Sequence, residues 1–251
     1  MKCVICDNTI SSTFQFDFWM SFRPKCEKRV CDECLEALKK AQYERTHCRC
    51  CGQKISLINP DSDLYGDICS NCAYWKQKGD HHRLKIYPAY HYHGVLQELI
   101  QRFKTMGDVR MVHVLAPAIK KTSDSMLKTE KLDPKQIVIV PLVSSPKREE
   151  ARGFNQNKVI LEENKMPFFD ILEHIEDDLK QSQQTKAMRL SRDSVLKIKK
   201  EIDKTAIEQL IQDKTIILVD DVYTTGRTLH DAISCLLPYK PQQFFAVVLA
   251  H

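Results

Sequence analysis

No stretch of this chain strings together the eighteen or so apolar residues that a membrane-spanning helix requires. Its opening, MKCVICDNTI, also lacks the basic-then-apolar order of a secretory signal. A phosphate loop of the form GxxxxGK followed by Ser or Thr is missing, which argues against a helicase. Nothing forms a recognisable purine or pyrimidine base pocket either. These absences lead to the expectation of a soluble, cytoplasmic protein with no membrane insertion.

Cysteine is scarce as well, but only after position 72: ten of the eleven cysteines precede that point, and Cys235 stands alone on a helical stretch that suits a small buried residue. In a reducing cytosol such clustering points to metal ligation rather than to disulfides. The first 72 residues carry ten basic and ten acidic side chains, so the whole formal charge of +5 belongs to the remainder. That mild excess suits a phosphorylated ligand or a nucleic-acid surface, and is also ordinary for a soluble enzyme. With 251 residues, 43% hydrophobic and 28% charged, the chain can bury one α/β core and still carry a small extra module. The expected division is residues 1–76 for the module and 77–251 for the α/β domain.

Four Cys-x-x-Cys knuckles punctuate the module: Cys3 and Cys6, Cys31 and Cys34, Cys48 and Cys51, Cys69 and Cys72. Two knuckles complete one tetrahedral thiolate site, so four suggest two structural zinc ions, most simply paired in sequence order. Cys26 and Cys50 fall outside this pattern, and the run CRCC leaves Cys48 and Cys50 as rivals for one position, with the two-residue spacer favouring Cys48. His47, His81 and His82 are assigned no metal. The aromatic and basic neighbours Phe14, Phe16, Phe18, Trp19, Arg23 and Lys25 either fill the core that so small a module lacks or present a stacking platform to single-stranded nucleic acid. Around the knuckles, short strands and one helix over Cys31 to Tyr43 are expected.

Beyond the module, HHRLKIYPAYHYHG reads as an exposed or edge strand, because Pro88 cannot donate to a central ladder. Helical spacing of apolar residues covers Val95 to Met106, with Gly107 as its stop, and then about Asp108 to Lys121. KKTSDSMLKTEKLDPK is expected to be a polar connection. A strand at Ile137 to Val143, a helix from Asn155 to Glu163, a strand around Phe168 to Ile175 and a polar segment from Asp177 to Asp193 come next. Helix, strand Thr215 to Val219, helix and the terminal strand FFAVVLA complete an alternation that implies a parallel sheet flanked by helices.

The most informative segment is IILVDDVYTTGRT, Ile216 to Thr228, where a buried-type strand runs into two carboxylates and then a hydroxyl-rich turn opening a helix. From the carboxyl end of a parallel strand, Asp220 and Asp221 can reach outward to two ribose hydroxyls. The turn aims backbone N–H groups at one spot: Gly226 permits close approach, Thr224, Thr225 and Thr228 add hydroxyls, and the helix starting near Arg227 contributes its positive end. The combination is a pocket for a sugar phosphate. After the earlier strand, Ser144, Ser145, Lys147, Arg148 and Arg152 offer donors for a second, more highly charged phosphate group, although a basic cluster by itself is commonly a solvated loop.

The first of these segments resembles the phosphoribosyl-pyrophosphate signature of type I phosphoribosyltransferases. The resemblance implies that the acid pair binds the ribose 2′- and 3′-hydroxyls, that Thr224 to Thr228 hold the 5′-phosphate, and that Mg²⁺ accompanies the pyrophosphate. Further motifs narrow the resemblance to the ComF competence-protein family: Arg152, Gly153, Phe154, Asn155 and Gln156 match its RGFNQ, and Lys180, Gln181 and Ser182, followed by TKAMRL, match its KQS. In that family the segment corresponding to Lys180 to Arg192 is a mobile flap, whose Lys186 or Arg189, with Arg148 and Arg152, would attend the leaving group; a plain polar loop is the other reading. The implied architecture is a type I phosphoribosyltransferase fold with an N-terminal zinc ribbon. The implied partners are single-stranded DNA and a helicase of the same uptake system. FKTMGD, Phe103 to Asp108, also resembles a family pattern, but a helix C-cap followed by an N-cap explains it equally well.

Overall fold

The computed structural model describes residues 2–10, 29–44, 48–53, 67–78, 84–175 and 195–251. Lys180, Gln181, Ser182, Lys186, Arg189, Trp19, Cys26, the module's phenylalanines and His47, His81 and His82 lie outside these residues.

A four-stranded parallel sheet organises the chain. Its strands are β1 (Lys85–Tyr90), β2 (Ile137–Pro141), β5 (Thr215–Val222) and β6 (Gln243–Ala250), in the spatial order β1-β6-β5-β2. Ile137 stands opposite Thr215, Thr215 opposite Gln243, and Lys85 opposite Phe245. Pro88 lies in β1, at the sheet edge, where its missing N–H costs no ladder bond. Because neighbours along a strand face opposite ways, β5 serves two cores. Ile216 and Leu218 join one buried cluster, while Ile217 and Val219 join the other.

On the second of these faces lie α1 (Asp32–Lys40), α3 (Gly94–Thr105), α4 (Val112–Thr129) and α6 (Gln156–Glu163), which contribute Leu38, Phe103, Leu115 and Ile160. The first face is covered by α7 (Lys204–Ile211) and α8 (Arg227–Leu236), together with the second half of the cysteine-rich module. Cys48, Cys51, Ile68, Cys69 and Ala73 belong to the same buried cluster as Val138, Leu218 and Phe244, so this half of the module shares the sheet's core. Its helix, α2 (Ser70–Gln77), has no counterpart among the sequence expectations. In place of short strands, the described parts of the module show the single bridges Lys2 with Thr9 and Gln42 with Tyr90.

Three expectations need correction. The segment expected to be a polar connection continues α4 to Thr129, because Ser123 and Met126 carry the buried stripe of Leu115 and Ile119 onward. The strand expected over Phe168 to Ile175 is short, β3 (Leu172–His174), and pairs antiparallel with β4 (Leu196–Ile198) in a separate two-stranded sheet. Finally, the basic segment after β2 forms a helix, α5 (Pro146–Arg152), entered through Pro146 and closed by Gly153 at φ 82°.

Candidate functional site

The carboxyl ends of β5 and β2 lie side by side and deliver the two expected segments to one place. From β5 come Asp220 and Asp221, whose side chains leave the strand toward opposite faces. Asp220 is half-buried. Its Oδ1 accepts from Asn157 Nδ2 at 3.3 Å and from the Asp221 amide at 2.9 Å, while no donor among the described residues meets its other oxygen. Burial and the adjacent Asp221 charge push Asp220 up to about 7.

Asp221, expected to reach outward, is only 3% exposed. Its place on the inner face explains this, since α3 and α6 both supply caps. Lys104 Nζ donates to Oδ1 at 2.8 Å and Gln156 Nε2 to Oδ2 at 2.8 Å. A ribose hydroxyl can therefore reach Asp221 only by replacing one of these donors. Lys104 belongs to the FKTMGD segment, whose Gly107 (φ 65°) and Asp108 do act as cap residues, Asp108 accepting from the Arg110 amide at 3.3 Å. Capping and a contact with the acid pair are both true of that segment.

After β2, Ser144 and Arg152 join the same network. Ser144 Oγ lies 3.2 Å from Gln156 Nε2 and 3.4 Å from Arg152 Nη2, and Arg152 Nη1 donates to Gln156 Oε1. Gln156 thus links the β2 end to Asp221. Neighbouring Asn155 caps α6 and ties Glu149 Oε1 (2.6 Å) to the Leu142 carbonyl (3.3 Å), which fixes where α5 starts. Ser145 is the cap residue of α5; Lys147 and Arg148 on that helix are exposed. The structure therefore gathers Ser144 and Arg152 with the acid pair and leaves Lys147 and Arg148 at the rim.

The turn from Thr224 to Thr228 has the form expected of an anion cradle. Gly226 takes φ 79° as the cap residue of α8, and an added Cβ would lie 2.8 Å from the Tyr223 ring and 3.2 Å from Trp75 Nε1. Thr224 and Thr225 are exposed, and Thr225 Oγ1 accepts from the Arg227 amide at 3.4 Å. Among the described residues no acceptor meets the amides of Thr224, Thr225, Gly226 or Thr228. Arg227 turns back along α8 to Asp231, with Nε 3.0 Å from both carboxylate oxygens.

Both expected cysteine tetrads form. The sulfurs of Cys3, Cys6, Cys31 and Cys34, and separately of Cys48, Cys51, Cys69 and Cys72, lie within 4.8 Å of one another. Zinc–sulfur bonds of about 2.3 Å at the tetrahedral angle place sulfurs about 3.8 Å apart. The observed Cys6–Cys31 and Cys51–Cys69 separations are 3.7 and 3.6 Å. In each tetrad an amide also points at a sulfur at 3.3 Å, Cys31 N to Cys3 and Cys69 N to Cys48, as thiolates accept. Close sulfurs split the titrations: hydrogen bonds from Cys50, then Cys51 and Cys69, pull Cys48 far down, and Cys48 pushes Cys72 far up. A divalent ion would relieve that crowding. Cys48 rather than Cys50 completes the tetrad, as the spacing suggested.

Sequence reasoning did not select Lys104, Gln156 or Asn157. The usable signal was the run of amides after Gly153, three polar side chains opening a helix where apolar contact is expected; all three are buried.

An acid pair ending one parallel strand, a glycine turn opening the next helix and a hydroxyl and arginine at the neighbouring strand end define a phosphoribosyltransferase-type domain. The family model described as "Phosphoribosyl transferase domain" matches residues 158–251, which include the acid pair and the turn. Similarity also extends into the cysteine-rich module. The chain is 29% identical to "Competence protein ComFC" of Bacillus subtilis (strain 168), over 94% of this chain and 88% of that one. It is 25% identical to "Competence protein ComFC" of Streptococcus pneumoniae (strain ATCC BAA-255 / R6), over 92% and 90%. "Competence protein F" of Haemophilus influenzae (strain ATCC 51907 / DSM 11121 / KW20 / Rd) is 28% identical, over 83% of each. The chain is thus similar to these competence proteins over most of its length.

Proposed function

We propose that the chain binds phosphoribosyl pyrophosphate together with Mg²⁺ at the carboxyl ends of β2 and β5. On this reading it acts in the cytoplasm in the handling of single-stranded DNA during natural competence, with two structural zinc ions in the tetrads. The observation that carries the ligand assignment is the continuous network Ser144–Arg152–Gln156–Asp221, beside a turn in which the amides of Thr224, Thr225, Gly226 and Thr228 meet no acceptor among the described residues. The names of the three relatives support the competence role. No described helix is long and apolar enough to cross a membrane.

In this assignment Thr224 to Thr228 take the 5′-phosphate through backbone amides and hydroxyls. Asp220 accepts from one ribose hydroxyl through its open oxygen, and Asp221 accepts from the other once Gln156 or Lys104 gives way. Ser144, Ser145 and Arg152, with Lys147 and Arg148 from the rim, hold the pyrophosphate. Mg²⁺ favours carboxylate and phosphate oxygens and keeps several waters, which suits the open oxygen of Asp220 next to a pyrophosphate; when bound it would neutralise that group. Lys186 and Arg189 would add charge at the same end.

Transfer of the ribosyl phosphate to an unidentified base or nucleotide acceptor, unrelated to DNA binding, is the second reading. It is favoured by Arg152, whose guanidinium lies 3.4 Å from Ser144 Oγ, where it would meet negative charge growing on departing pyrophosphate. Calorimetric titration of the metabolite with and without Mg²⁺ tests the shared ligand, and no heat in either case would end both readings. Pyrophosphate release across a broad acceptor set then separates transfer from binding alone. Titration with single-stranded DNA at low salt tests the competence reading, which loses its support if no complex forms where backbone contacts are strongest.

A further inference from the structure

The amide cradle is not held by the α/β domain alone. Helix α2 begins inside the second tetrad, with Cys69 as its cap residue and Cys72 in its first turn. From that turn Asn71 Nδ2 donates to the Thr224 carbonyl at 3.2 Å. One turn later Trp75 Nε1 donates to the Thr225 carbonyl at 2.7 Å. The indole also stacks on His230 of α8, with centroids 4.0 Å apart and planes 13° from parallel. Two consecutive carbonyls of the turn are thus drawn toward α2.

Peptide planarity gives this a direct consequence. In a trans peptide the C=O of one residue and the N–H of the next point in opposite directions. Holding the carbonyls of Thr224 and Thr225 against α2 therefore aims the amides of Thr225 and Gly226 away from it, as an anion-binding turn requires. Crowding at Gly226 adds to the constraint, because Trp75 and Tyr223 leave no room for a side chain there. Resting on the ligand reading above, we infer that the second cysteine tetrad, through Asn71 and Trp75, positions the amides that receive the 5′-phosphate. Thiolate ligation by Cys69 and Cys72 would fix the start of α2, and with it the height of both donors above the turn. Asn71 and Trp75 are positioning residues; neither needs to touch the ligand.

The test uses the zinc-replete full-length protein and two probes, ribose 5-phosphate and inorganic pyrophosphate, titrated separately by calorimetry with Mg²⁺ present. Trp75→Phe keeps an aromatic ring against His230 and removes the donor; Asn71→Ala removes the other. Each variant should weaken ribose 5-phosphate binding about three- to tenfold, the worth of one neutral hydrogen bond, and leave pyrophosphate affinity and zinc content at wild-type values. Cobalt-substituted protein supplies a second readout: ribose 5-phosphate should shift the visible thiolate bands of the wild type and not those of the double variant. Wild-type affinity for ribose 5-phosphate in both variants would overturn the positioning role while leaving the ligand assignment intact. Equal losses for the two probes would also overturn it, since they signify general loosening. If the wild-type protein itself ignores ribose 5-phosphate, the ligand reading fails first.

Discussion

Asp220 should make the folded protein less stable as pH rises through neutrality, and Asp220→Asn should abolish that trend. The carboxyl titrates at about 7 in the folded chain because of its burial and the charge of the adjacent Asp221, against about 3.9 in an unfolded one. The folded state thus holds a proton that the unfolded state has released. Stability contributed by this group is complete below about pH 4 and declines until about pH 7, where both states are ionised. From about pH 5.5 to 8 the decline spans some 1.5 units, roughly 2 kcal/mol by linkage, or about 1 kcal/mol once the side chain's partial exposure is discounted. Urea denaturation of wild type and variant at both pH values, in zinc-replete buffer, measures it. Asp108 titrates in a separate window: Arg110 first and Arg102 second hold it at about 2, so its stability is lost only below about pH 4, and equally in both proteins. A wild-type-minus-variant difference that stays constant from pH 5.5 to 8 would refute the argument.

Three other outcomes are expected. Lys104→Met should cost about 2 kcal/mol at pH 8 in the same assay, because it removes one partner of an ion pair whose carboxylate is buried; an unchanged midpoint would make the 2.8 Å contact incidental. Gly226→Ala should be destabilised by about 1–2 kcal/mol more than Gly153→Ala. Both sites have positive φ, but only at Gly226 does a Cβ meet an atom at 2.8 Å, and equal thermal shifts would count against a tight turn. Cys72→Ser should lower the melting temperature further than Cys6→Ser, since the second tetrad lies in the sheet's core and Cys6 is exposed; elemental analysis should show one zinc lost in each, and an inverted order of melting temperatures would contradict the shared core.

The strand, turn and helix start of Ile216 to Thr228 were legible because every determinant is local: an apolar run, two acids, a glycine and a helix start within thirteen residues. Knuckle spacing was legible for the same reason, since a ligand pair three residues apart closes on itself. Pro88 marked an edge strand through its missing donor. What stayed hidden depends on contacts remote in sequence. Lys104 meets Asp221 across 117 positions and Trp75 meets Thr225 across 150, and nothing near either residue announces its partner. Ser123 shows a different failure, in which a small polar residue holds a buried position on α4 and makes a continuous helix read as a connection. Strand β3 misled because its apolar run fits either a central strand or a short hairpin, and only pairing with Leu196 to Ile198 decides between them.

The most direct test of the account is a crystal structure with phosphoribosyl pyrophosphate and Mg²⁺ bound. The expected result has the 5′-phosphate on the amides of Thr225 and Gly226, a ribose hydroxyl on Asp220, and Gln156 or Lys104 moved off Asp221. Ligand bound elsewhere on the molecule, with the Asp221 contacts undisturbed, would contradict it.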